Sequence, residues 1–365
     1  LDGNYPVGTN NVALGDTALD SNVSGVNNTA VGSKALTANT ASDNTAVGYQ
    51  AGDALTTGSY NNAFGHASLS TATTGEQNAA FGRYSLNSNT TGSENTAVGN
   101  HALNSNTTAD NNTAVGYQSL YANTTAANNT AVGFQAAYSN TTGGSNTAIG
   151  FASGYTNTTG TDNVSLGYNA GYSNASSSSN TSIGSHALYA NTGATNTALG
   201  TQALRFNSTG AGNTAVGYQA GFTNVTGTRL VAMGYTAALN STTATHNTAI
   251  GYQSQRNNTT GSNNTALGDN SLYTNTTGAS NVSIGKDALF SNTTAANNTA
   301  VGFQAAYKNT TGTLNTYIGE QAGYWATTGS SNTALGADAY AATNTATGSY
   351  NTAIGQAALW SNTSA

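Results

Sequence analysis

Apolar positions along this chain come in short bursts, not in helical stripes. A five-residue phrase, Asn-Thr-Ala-Val-Gly, returns from end to end, and the stretches between its copies are rich in Asn, Thr, Ser and Gly. With the Gly of each copy as an anchor, there are 21 anchors between Gly15 and Gly355, and of the 20 intervals seventeen are 17 residues, two are 16 and one is 19. A fixed period of this size marks a repeat architecture. Positions are counted below from the anchor, negative before it and positive after it. Position −1 is Val, Ile, Leu, Phe or Met in all 21 copies, −2 is Ala in 17, −4 is Asn in 20, and +3 is Ala or Ser in all 21. The exceptions are Ser165, Ser182, Ser283 and Tyr317 at −2 and Leu230 at −4. Position +1 takes many residue types and reads as solvent-facing and unconstrained.

Seventeen residues are too few for the helix pair of the common helical repeats, which need over about 30. They suit one coil of a solenoid, stacked on the next at about 4.8 Å. The pattern predicts an all-β fold, a parallel β-solenoid (β-roll) of about 21 coils with 17 residues per coil. Residues 1–10 form a lead-in and residues 11–365 one continuous array. Each coil is expected to hold two strands. The first is Asn-Thr-Ala-Val-Gly, as at Asn129–Gly133, and the second includes Gln118-Ser119-Leu120-Tyr121. The anchor Gly permits a bend or a left-handed backbone angle that a Cβ would resist. Side chains alternate along a strand, so Thr and Val share one face while Asn and Ala share the other. Neither Ala nor Val is ever replaced by a charge, so both faces are expected to be buried: Val within the coil, Ala against a second surface, preferably another chain.

Composition narrows the function. Charged residues make up 5% of the 365, with 7 basic, 13 acidic and a net charge of −6, where an ordinary soluble domain carries about a quarter. So few cations argue against nucleic acid as a partner. No apolar run approaches the ~18 residues of a membrane span, which argues against membrane insertion. Without Cys there are no disulfides or thiolate metal sites. His66, His101, His186 and His246 are too scattered to share a proton or a metal, and the acids follow no calcium-binding spacing. The expectation is no enzyme, no cofactor and no metal.

Two columns are candidates for binding or modification. Position +5 is aromatic in 11 repeats, with the unbroken file Tyr121, Tyr138, Tyr155, Tyr172 and Tyr189. Such a file packs coil on coil or holds sugar rings. Position +7 is Asn in 16 repeats, and 14 of these open an Asn-x-Ser/Thr triplet: Asn22, Asn89, Asn106, Asn123, Asn140, Asn157, Asn174, Asn207, Asn224, Asn258, Asn275, Asn292, Asn309 and Asn362. That triplet implies a surface turn open to N-glycosylation. The Asn column at −4 is expected to be a buried carboxamide ladder.

The phrases Asn-Thr-Ala-Val-Gly-Tyr-Gln-Ser-Leu-Tyr (112–121) and Asn-Thr-Ala-Ile-Gly-Phe-Ala-Ser-Gly-Tyr (146–155) resemble the Ala-Ile-Gly repeats in the heads of trimeric autotransporter adhesins. They are closer still to the Asn-Thr-Ala-Val-Gly-Tyr-Gln-Ala-Leu arrays of bacterial surface and phage tail-fibre proteins. The resemblance covers the full chain and implies a left-handed parallel β-roll, trimeric assembly and adhesion. The unit here is 17 residues, longer than the family's, with a Thr-rich turn. The sequence therefore reads as a structural fibre subunit, extracellular or on a cell or virion surface. Its partners are further copies of itself, head to tail or side by side, and glycans carried or bound. The alternative reading is an adhesin or fibre shaft that binds glycans through the aromatic file.

Overall fold

The computed structural model describes residues 8–341 and 345–360. Two compact units divide the chain, Leu1–Asn180 and Thr181–Ala365. Both are built from the same coil, and the fold is an all-β parallel solenoid. Ten three-residue strands lie in the first unit, from β1 (Val12–Leu14) to β10 (Val164–Leu166). Eleven lie in the second, from β11 (Thr181–Ile183) to β21 (Thr352–Ile354). Pairing is in register, like residue on like: Thr113 on Thr130, Ala114 on Ala131, Val115 on Val132.

Each coil holds one strand, not the two expected. The segment read as a second strand is a run of turns. The Ser119 N–H donates to the Gly116 carbonyl at 3.4 Å and the Asn123 N–H to that of Leu120 at 3.2 Å. Gln118 (φ 54°) and Leu120 (φ 48°) are left-handed, which no strand tolerates. The coil-to-coil hydrogen bonds nonetheless continue through the turns, as from the Leu120 N–H to the Ala136 carbonyl at 3.0 Å.

The faces are assigned the opposite way to expectation. Ala114 and Ala131 at −2 are fully buried inside the coil, while Val98, Ile149 and Leu166 at −1 are 37–41% exposed on its outside. The close surface that selects Ala is the coil's own far wall, lined by +4 Leu such as Leu103 and Leu120 and by +3 Ala or Ser. One turn of 17 residues encloses room for methyl groups opposite Leu, and no more. The anchor Gly behaves as expected: Gly133 has φ 138°, and a Cβ there would stand 2.5 Å from the Gly150 carbonyl oxygen of the next coil.

Interior volume is balanced locally. At three of the five coils where +4 is Gly, a neighbour fills the gap. The Leu36 Cδ2 lies 2.9 Å from where a Cβ on Gly52 would be, and Leu204 and Leu230 crowd that of Gly221 at 3.0 and 3.2 Å. The Tyr317 ring occupies the place of a Gly323 side chain, 2.5 Å from its would-be Cβ. The two bulky exceptions in the repeat, Leu230 and Tyr317, are thus compensations for glycines in the same stack. At Gly154 a Cβ would meet nothing nearer than the Ala148 Cβ at 3.6 Å, and a small void lies among Ala137, Gly154 and Gly171 with Ala148 and Ser165 on its wall.

This balance predicts that Gly323→Leu alone destabilises the protein by about 3 kcal/mol through overpacking, and that adding Tyr317→Ala restores most of the loss. Gly154→Leu, entering the void in a left-handed conformation that Leu120 already adopts, is expected to raise stability by about 1 kcal/mol. Thermal and urea melts of the three variants check both outcomes.

Candidate functional site: asparagine ladders and aromatic files

Two Asn columns run inside the coil. At −4, the backbone N–H of Asn129 donates to Oδ1 of Asn112 at 2.9 Å and that of Asn112 to Oδ1 of Asn95 at 3.0 Å. Nδ2 of Asn95 donates to the Ala109 carbonyl at 2.8 Å. The expected ladder exists, but it links carboxamide to backbone more than carboxamide to carboxamide. The amide-to-amide file is at +7. Nδ2 of Asn106 donates to Oδ1 of Asn89 at 2.9 Å, and the link repeats from Asn123 to Asn106, Asn140 to Asn123 and Asn157 to Asn140 at 2.9–3.1 Å. The same Nδ2 groups bond a turn carbonyl three residues on, such as Ala109 for Asn106 at 3.0 Å.

The candidate glycosylation column is therefore not at the surface. Asn89, Asn106, Asn123, Asn140, Asn207, Asn224, Asn275, Asn292 and Asn309 are fully buried, and Asn22, Asn157, Asn174 and Asn258 are 1–4% exposed. Asn362 lies outside the described residues. The expectation of an exposed Asn is corrected: the amide nitrogen that would carry a sugar is inside the coil and donates to the turn. The triplet marks a turn, but one whose Asn points inward.

The tyrosines of the +5 file are half-buried and stack. Tyr121 on Tyr138, Tyr138 on Tyr155 and Tyr155 on Tyr172 have centroids 5.1–5.2 Å apart and planes within 3–8°. Tyr189 lies in the second unit, 5.4 Å from the His186 ring. The second unit has its own run, Tyr273, Phe290, Tyr307 and Tyr324, at 5.1–5.2 Å. Position +1, read as unconstrained, carries another file. Tyr117, Phe134, Phe151 and Tyr168 stack at 5.1–5.4 Å while 42–50% exposed. Charged and polar residues at +1 elsewhere, such as Arg83, Asp269 and Lys286, hid this file in a column tally; the four consecutive aromatics were the signal. In both files a neighbouring ring covers each ring's face, so a sugar cannot lie flat on Tyr138 or Tyr155. What these files offer outward is ring edges and phenol hydroxyls.

Burial, and secondarily the Arg83 charge, lower the His101 pKa; burial and Arg205 do the same for His186. His101 serves as a ring in an aromatic file, 5.1 Å from Tyr84. Among the described residues no three His, Asp or Glu side chains group to hold a metal, and no helix is long and apolar enough to cross a membrane. No family model matches the chain, and no curated protein matches it.

Burial first, then the phenols of Tyr121, Tyr155 and Tyr117, raise Tyr138 above the ordinary 10.0; burial, Tyr324 and Asp287 do so for Tyr307. The folded state thus favours the neutral phenol. Its contribution to stability is full below pH ~10 and is lost as pH rises through the higher folded pKa. Melting temperature is expected to fall above pH ~10, and less steeply in a Tyr138→Phe, Tyr307→Phe variant, as followed by circular dichroism.

Proposed function

We propose that this chain is a structural subunit of an extracellular fibre, assembling with copies of itself head to tail or side by side. One observation carries the reading: hydrogen bonds run from each coil to the next at strand, turn and side chain alike. The strand bonds, the Asn files and Thr side chains such as Thr90 and Thr124, which donate to Thr107 and Thr141 carbonyls at 2.9 and 3.1 Å, all join one coil to its neighbour. Such a stack resists extension and shear along its axis. Any coil left uncovered presents the same donors and acceptors that its neighbour in the chain would meet, which is the template a second copy needs.

The invariant positions support the same reading. The −4, −2, +3 and +7 positions line the interior, where they hold coil to coil. A binding module concentrates its constraint on one exposed place instead. The glycan-binding alternative, which needs free ring faces at +5, finds those faces stacked against one another.

Negative-stain electron microscopy over a concentration series tests the proposal. Filaments that lengthen with concentration are expected; dispersed particles of one length at every concentration would count against a fibre subunit.

A further inference from the structure

The buried Asn column leaves its neighbours in the turn unexplained. Position +8 is half-buried, and its Thr hydroxyl bonds the next coil, as Thr107 Oγ1 does to the Thr124 carbonyl at 3.0 Å. Position +9 is exposed, as at Thr125, and in Thr91, Thr108 and Thr142 only the backbone is engaged.

The repeats themselves provide a substitution series. At +8, where the hydroxyl makes a bond, it is nevertheless lost in Val23, Ala175 and Val225. At +9, where it makes none, it is kept in each of the 18 described coils that have the position: 16 are Thr and two are Ser24 and Ser176. The two 16-residue coils drop the residue altogether, as between Thr40 and Ala41. Backbone shape does not explain this. A β-branched residue would serve as Val, which appears at +8 and never at +9, and Ser is not β-branched. Nor is the hydroxyl kept as the third member of an Asn triplet. Where +7 is Leu55, Ala72, Ser241 or Ala326, position +9 is still Thr57, Thr74, Thr243 and Thr328. An exposed, unbonded hydroxyl held constant beside a variable bonded one is kept for a reaction at the surface.

We infer that the +9 column is a row of O-glycosylation acceptors. The donor class is a sugar activated by a phosphate leaving group at its anomeric carbon. The Thr Oγ1 attacks that carbon, a C–O glycosidic bond forms, and the bond to phosphate breaks. The phosphate departs with the electron pair, and the hydroxyl proton passes to a base of the transferase. Successive acceptors stand one strand spacing apart, about 4.8 Å, so the attached sugars form a file along the edge of the solenoid.

The test is site mapping on the full chain isolated from its native source, by intact mass and electron-transfer fragmentation. Expected are sugar increments on +9 residues, released by alkaline β-elimination and resistant to peptide-N-glycosidase. An unmodified mass, or sugar found only on the +7 Asn, overturns the inference. In the native host, Thr→Val at 91, 108, 125 and 142 is expected to remove four sites without lowering the melting temperature. Thr→Val at 90, 107, 124 and 141 is expected to lower it while the sugar stays. An unchanged sugar load in the first variant also overturns the inference. Because mass reads modification whether or not filaments form, this outcome is separate from that of the fibre reading.

Discussion

In a coil that encloses only methyl groups and Leu side chains, much of the turn backbone faces inward, away from water. A buried carbonyl or N–H without a partner costs about 1–3 kcal/mol, and turns supply no regular ladder of their own. Two inward Asn per coil meet this demand. The uncharged carboxamide offers an acceptor oxygen and two donor hydrogens on separate atoms, so one residue both receives a neighbour's N–H and closes a turn carbonyl, as Asn95 does from Asn112 and at Ala109. Everything else follows from the narrowness these residues make tolerable. Ala is required opposite Leu, Gly where backbones of successive coils meet, and a compensating Leu or Tyr fills the wall at Gly52, Gly221 and Gly323.

Much of this was legible in the amino-acid order. Constant spacing revealed the coil, and the apolar residue before each anchor Gly revealed where the strand runs. Alternation told which residues share a face, Asn with Ala and Thr with Val, but not which face is inside, because Val is larger and more apolar than Ala. Size decides it: only the smaller side chain fits a one-turn interior, so the rule that larger apolar residues go inward fails here. The turn run was mistaken for a strand because Gln118 and Leu120 are poor candidates for a left-handed backbone. A hint was present in the same column, where Gly52, Gly154, Gly171, Gly221 and Gly323 replace Leu at +4.

The turn shows the same limit in a sharper form. An Asn-Thr-Thr phrase is polar throughout, and hydropathy gives no reason to send its first residue inward and its third outward. The geometry of the coil does so, burying Asn123, half-burying Thr124 and exposing Thr125. Three polar neighbours thus have different tasks: a core amide, a strut to the next coil, and a free hydroxyl.

The +7 amide file has a direction. From Asn157 down to Asn89 each Nδ2 donates toward the amino-terminal side, so the carboxamide dipoles align and polarise one another. Ala72 ends that file below Asn89, and in the second unit Ser241 and Ala326 bound the runs Asn191–Asn224 and Asn258–Asn309. A solenoid of this kind is therefore electrically as well as chemically directional, a series of short aligned segments whose two ends differ in sign. Substituting the interrupting residues would lengthen the segments and alter the field along the axis without changing any charged group.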